Sequence, residues 1–400
     1  MLDAMETLGA AAPRAAAIFP GEALKSPWQW GYAVEVAQIC QRRRMREPYG
    51  LAIGSSFGSP LAAMMGGGAR CGHEAVEAAW LRFREDLSVT RFAERSRLSD
   101  FSRPVQDAFV RLLDRSDLID WDAAYDSPTN VVVVVTQVDV NGAGRELGEI
   151  WDAQADNVRA LLEGKSTNFR SVAVGLGRIL RALQPRYYGT AEWSAGTAPE
   201  NYQTLANADE LRRVVMASTR LPSITGGEPI YFEGRSLIDG AWSDNVPVPL
   251  ALDWGAELIH VVDCCRGGKL YQKPILTYLQ KQLGEVLDIA EGVTSVIVER
   301  IAPSGEERYA PPQLLDSVIP SLFASAGRLV STLRERVEKP GSLDLAELRE
   351  AHPSVEIWHD HLPASFPDTP RFLPLPAPNV LTSLYRTGID SARERFAEDS

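Results

Sequence analysis

The sequence predicts an α/β protein, a three-layer α/β/α sandwich around a mostly parallel central sheet. Three observations predict it. Val131 to Val135 is an unbroken β-branched run, suited to the middle of a sheet covered on both faces. Leu258 to Val262 is a second such run, and Val355 to Trp358 reads as the last strand. Stretches of helical periodicity separate these runs, and strands alternating with helices build a parallel sheet.

Taken in order, Ala15 to Phe19 is a short apolar run ending in Pro20-Gly21, a buried strand feeding a loop. A helix follows, with Ser26 as N-cap, Pro27 at its first position, and Trp30, Ala33, Val34, Ala37 and Cys40 at helical spacing. Arg42-Arg43-Arg44 reads as cations in that helix's last turn, favoured by its dipole, with a small basic lipid contact as the other reading. Tyr49 to Ile53 is the next apolar run, closed by Gly54. Phe57 to Met65 has helical composition, with Pro60 in its first turn and Gly66-Gly67-Gly68 as its terminator. A terminal helix is expected from about Asn379 to Phe396.

Residues 151–208 break the alternation, and Gly175 and Gly177 weaken a helix there. The stretch is read as an insertion or lid. Its Arg170, Arg178, Arg181 and Arg186 beside Leu176, Ile179, Leu180 and Leu183 would meet lipid headgroups or form an ordinary solvated face.

Composition excludes several classes. A net charge of −12 argues against nucleic-acid binding, which needs a basic face for the phosphates. The four cysteines show no CxxC spacing, so neither zinc nor a disulfide framework is suggested. Acidic residues at Asp3 and Glu6 and the lack of a basic-then-apolar start argue against a secretory signal. The expectation is a cytoplasmic protein that works peripherally at membranes, with signal-independent export left open.

Gly54-Ser55-Ser56-Phe57-Gly58 has the G-x-S-x-G form between an expected strand and an expected helix. A sharp strand-to-helix turn holds such a serine strained and exposed, and the flanking glycines avoid clashes. A hydroxyl nucleophile needs a base. None of His73, His260, His352, His359 and His361 stands out, and His260, inside a strand, reads as a core residue. Leu237-Ile238-Asp239 ends an apolar run and releases into Gly240-Ala241, which suits either a base or a turn carboxylate.

With Ser56 in G-x-S-x-G and Asp239-Gly240-Ala241 before an Asn-x-Pro-Val segment, the chain resembles the patatin-like phospholipases. Ala217-Ser218-Thr219-Arg220-Leu221-Pro222 is similar to the family's Ala-Ser-x-x-x-Pro stretch, Trp254-Gly255-Ala256-Glu257 to its Gly-Ala-Asp, and Leu384 to Gly388 to its last helix. The resemblance implies one domain over 15–396 after a tail at 1–14. It implies a Ser56–Asp239 dyad, an acyl-enzyme intermediate, and no cofactor or metal. Phospholipid, lysophospholipid or acylglycerol substrates would be met at a membrane or micelle surface, with a homodimer admitted. The family's oxyanion loop, G-G-G-x-[K/R]-G, aligns with Gly21-Glu22-Ala23-Leu24-Lys25-Ser26 and keeps only the first glycine and the basic residue. The oxyanion donors would then be main-chain N–H groups around Gly21, Glu22 and Ala23. Gly66-Gly67-Gly68-Ala69-Arg70 looks like that loop but follows the nucleophile.

Two other readings stand beside this one. An α/β-hydrolase triad would pair Ser56 and Asp239 with His352, His359 or His361. A catalytically weak module that binds lipid or a partner protein would fit the altered loop.

Overall fold

The computed structural model describes residues 14–21, 25–43, 48–89, 108–113, 118–138, 183–194, 198–220, 229–264, 270–271, 342–363 and 377–396. The chain forms two compact units, Met1–Lys273 with Leu343–Ser400, and Pro274–Ser342. The described residues fall in the first unit except Ser342.

The first unit is built on a nine-stranded sheet. Its strands are β1 (Ala15–Phe19), β2 (Leu51–Ser55), β3 (Asn130–Val138), β4 (Leu183–Gly189), β5 (Tyr202–Thr204), β6 (Ile230–Phe232), β7 (Arg235–Asp239), β8 (Leu258–Asp263) and β9 (Glu356–His361). The main path runs β9-β8-β1-β2-β3-β4-β5, and β7 pairs with both β3 and β6. Pairings β9–β8, β8–β1, β1–β2, β2–β3 and β4–β5 are parallel, whereas β3–β4, β3–β7 and β6–β7 are antiparallel. The sheet is therefore mostly parallel, as the β-branched runs require when both faces are covered.

Alternate residues of each strand enter opposite cores. Ala15, Ala17, Phe19, Ala52, Val131, Val133 and Val135 pack toward α1 (Pro27–Arg42), α3 (His73–Val89), α5 (Ala208–Ser218) and α8 (Pro378–Phe396). Ala16, Ile18, Leu51, Ile53, Val132 and Val134 pack toward α6 (Val248–Asp253) and α7 (Leu345–Ala351). Shorter helices are α2 (Ser59–Ala63) and α4 (Trp121–Tyr125), and residues 108–113 are also helical.

Helix α1 crosses α8 at very close range. A Cβ built on Gly31 would lie 2.0 Å from the Tyr385 carbonyl oxygen, and one on Gly388 would lie 2.0 Å from that of Trp28. Buried Glu35 on α1 accepts from Arg42 at 2.7 Å and Arg393 at 3.2 Å, and meets His73 Nε2 at 2.6 Å. Arg42 thus sits in the last turn of α1, paired with Glu35. Ser26 occupies the N-cap position, but its side chain caps no backbone amide.

The stretch 151–208 corrects the sequence reading at its C-terminal end. β4 and β5 lie in the sheet, and Arg186, one of the expected headgroup-facing arginines, donates to Gln137 on β3 at 2.7 Å. Periodicity missed these strands because β4 carries Gln184, Pro185 and Arg186 among its apolar residues. Residues 151–182, with Arg170, Arg178 and Arg181, lie outside the described residues, as does the tail 1–14 apart from Arg14.

Candidate active site

Strand β3 brings the serine and the aspartate together. Along one edge of β3, β2 ends with Ser55 opposite Val134, and β7 ends, running the other way, with Asp239 opposite Val135. Two strands thus meet end to end on consecutive residues of a third. The residue after β2 is Ser56, whose Oγ donates to Asp239 Oδ2 at 2.6 Å.

The turn at Ser56 is strained, with φ of 51°, in the left-handed region that non-glycine residues seldom adopt. Such strain costs on the order of 1 to 3 kcal/mol and persists only where the surroundings impose it. Here they do. A Cβ on Gly58 would lie 1.9 Å from the Phe19 carbonyl oxygen, and one on Gly54 would lie 2.4 Å from that of Gly58. Ser218 Oγ accepts the Ser56 N–H at 2.8 Å and itself donates to Val134 O at 2.6 Å. Ser59 Oγ donates to Ser56 O at 2.6 Å.

Asp239 is fully buried. Its Oδ1 accepts the Ala241 N–H at 2.8 Å, and a Cβ on Gly240 would lie 2.2 Å from Val134 O, so the Gly240-Ala241 turn packs tightly over β3. Burial pushes the carboxyl up to about 7, against the opposing pull of the Ser56 and Ala241 hydrogen bonds. Both of those partners are neutral donors. Thr136 Oγ1 donates to Asp239 O at 2.7 Å and holds the backbone beneath it.

Gly21, two residues after β1, packs directly on Ser56: a Cβ there would lie 2.2 Å from Ser56 Cβ. Its N–H donates to Asn245 Oδ1 at 2.8 Å. The Gly21 amide thus points at Asn245, while its Cα packs against Ser56. Glu22 and Ala23 lie outside the described residues. Sequence reasoning quoted Ser218 and Asn245 only as parts of motifs and gave neither a role. Their spacing to the aspartate was the available signal.

The histidines lie elsewhere in the fold. His260 Nδ1 meets Tyr49 Oη at 2.6 Å and its Nε2 meets Asp360 Oδ2 at 3.0 Å, which makes it the core residue expected from its strand position. His73 meets Glu35 and Tyr385 Oη. His359 and His361 lie on β9, separated from β2 by β8 and β1. Three strand spacings amount to about 14 Å. His352 follows α7. Among the described residues no histidine hydrogen-bonds Ser56 or Asp239, so the triad reading gains nothing from the geometry.

Gly66-Gly67-Gly68 ends the helix that follows Ser56 in a π-turn, with Gly67 at φ of 85°, and Arg70 pairs with Asp120. This is the helix terminator expected from the sequence.

A family model described as patatin-like phospholipase matches residues 15–252. A comparison with curated proteins finds no match. The matched span covers more than half of the chain and holds every described site residue named above, from Gly21 to Asn245. The chain belongs to the patatin-like phospholipase family, a family of lipid acyl hydrolases.

Proposed function

We propose that the protein hydrolyses acyl esters of glycerophospholipids, lysophospholipids or neutral acylglycerols through a Ser56–Asp239 dyad. The observation that carries this reading is the 2.6 Å hydrogen bond from strained Ser56 to a buried carboxyl held near neutrality. An ordinary carboxylate is a weak base at its reference pKa of about 4; one near 7 is matched to proton transfer at neutral pH.

Ser56 Oγ attacks the ester carbonyl carbon as its proton passes to Asp239 Oδ2. The oxyanion of the tetrahedral intermediate is held by main-chain N–H groups of the loop after Gly21. The C–O bond to the leaving alcohol breaks, and that alcohol takes the proton from Asp239, leaving Ser56 acylated. Water then attacks the acyl group, giving its proton to Asp239, and the fatty acid departs as Ser56 Oγ recovers that proton. No metal enters this sequence. The substrate is met at a membrane or micelle surface, and the cytoplasm is the proposed setting.

Hydrolysis of p-nitrophenyl esters and lysophosphatidylcholine by the purified protein, Ser56→Ala and Asp239→Asn tests this. Turnover lost in both variants supports the dyad. Wild-type turnover that survives either substitution, or a folded wild type inactive on vesicles and micelles, contradicts it.

A further inference from the structure

The C-terminal end of α5 reaches both members of the dyad. Helix α5 is fixed at its start by Asn207, whose side chain accepts the Glu210 N–H at 2.9 Å, and along its length by buried Leu211, Val214 and Val215. Two of its last carbonyls find partners locally: Thr219 Oγ1 donates to Met216 O at 3.0 Å, and the Arg220 N–H donates to Ala217 O at 3.0 Å. From this anchored end two groups face the site. Ser218 Oγ accepts the Ser56 N–H at 2.8 Å, and two residues later the carbonyl oxygen of Arg220 accepts the Asp239 N–H at 3.0 Å. Ser218 is fully buried, and its own hydroxyl proton goes to Val134 O at 2.6 Å, on the β3 residue that lies opposite Ser55.

We infer that Ser218 is a positioning residue whose hydroxyl holds the strained Ser56 backbone so that Oγ meets Asp239, while the Arg220 carbonyl holds the base from the same turn. A serine hydroxyl has one proton to give and lone pairs with which to accept. Val134 O takes that proton, so the lone pairs are left for the Ser56 amide and the direction of the bond is fixed. Ser56 lies just past the end of β2, and its N–H takes this acceptor from α5. With Ser59 Oγ on Ser56 O, the peptide groups on both sides of the nucleophile are held by buried hydroxyls. The left-handed φ at Ser56 therefore cannot relax, swinging Oγ away from Asp239, without breaking a buried hydrogen bond. The pairing of Ser56 with Asp239 depends on α5 twice, through Ser218 for the donor and through Arg220 O for the acceptor. Ser218 acts through the Ser56 backbone and not on the substrate.

The effect on catalysis rests on the serine-hydrolase reading above, whereas the hold on the Ser56 amide does not. Two measurements on the full chain therefore separate them. Steady-state kinetics on a p-nitrophenyl ester should show kcat of Ser218→Ala lowered about 10- to 100-fold with KM within about threefold, the scale expected for slight misplacement of a nucleophile. Ser218→Thr and Ser218→Val add the same bulk and differ in the hydroxyl, so kcat of Ser218→Thr should exceed that of Ser218→Val at least about tenfold. Amide hydrogen exchange should show the Ser56 N–H exchanging at least about tenfold faster in Ser218→Ala while amides of β3 keep their protection. A wild-type kcat in Ser218→Ala, a loss that lies in KM instead, or equal kcat in Ser218→Thr and Ser218→Val overturns the inference. So does unchanged exchange at Ser56, or exchange that rises across β3, since that marks general loosening of the fold. A folded wild type without esterase activity sinks the functional reading, and the exchange measurement still decides the hold on Ser56.

Discussion

Two hydroxyl–carboxylate pairs at the sheet, one buried and one partly buried, have opposite fates. At one, Ser56 donates to Asp239 at 2.6 Å; at the other, Tyr32 donates to Asp360 at 2.5 Å. The second carboxylate is also met by His260 Nε2 and by the Arg395 guanidinium. Despite burial, the hydrogen bonds of His260 and Arg395 hold Asp360 well below the usual carboxylate range. Among the described residues Asp239 has only neutral donors, and burial wins. A carboxylate accepts only, so His260 donates from Nε2 and accepts from Tyr49 at Nδ1, which is the neutral form its burial favours. The comparison teaches that a hydrogen bond alone does not set a buried carboxyl's pKa; a cation beside it does.

Breaking the two pairs should have different consequences. Ser56→Ala or Asp239→Asn should lower ester turnover by about 10⁴-fold or more, as for units that act together, with the folded state intact by circular dichroism. Asp360→Ala should leave the Arg395 charge and His260 without their acceptor and cost about 3 to 5 kcal/mol in urea unfolding. In the same assay at pH 8, Asp239→Asn should stabilise by about 2 kcal/mol, because it replaces a carboxylate whose ionised form burial disfavours.

The pH dependence of stability separates the pairs further. Asp239 has a folded pKa above its unfolded value, so its contribution is complete below about 4 and is lost as pH rises through about 7. The gain from Asp239→Asn should therefore grow between pH 4 and pH 8. Asp360 has the reverse sign: its contribution is present above the ordinary carboxylate range and disappears as pH falls below it. The smallest effect is expected at the C-terminal histidines. Replacing His352, His359 or His361 singly by Gln should leave kcat/KM within about threefold, and a large loss at any one would revive the triad.

Much of this was legible in sequence where local pattern and tertiary role coincide. The β-branched runs of β3 and β8 announced central strands, and Ser26-Pro27 announced the start of α1. Gly54 and Gly58 announced a turn too tight for side chains, and the φ of 51° at Ser56 is the strain that such a turn imposes. What stayed hidden depends on pairings between distant segments. β4 pairs with β3 although its own sequence is mixed, and α5 offers Ser218 to Ser56 across 162 positions. The end-to-end meeting of β2 and β7 on β3 explains why Asp239 reaches Ser56, and no local signal encodes it.

The most direct measurement is the pH profile of kcat/KM on a neutral p-nitrophenyl ester. An acid limb rising to a plateau with an apparent pKa of about 7, unchanged when each of the five histidines is replaced in turn, is what a buried Asp239 base predicts. A profile flat from pH 5 to pH 8, or a limb that disappears with one histidine, would contradict it.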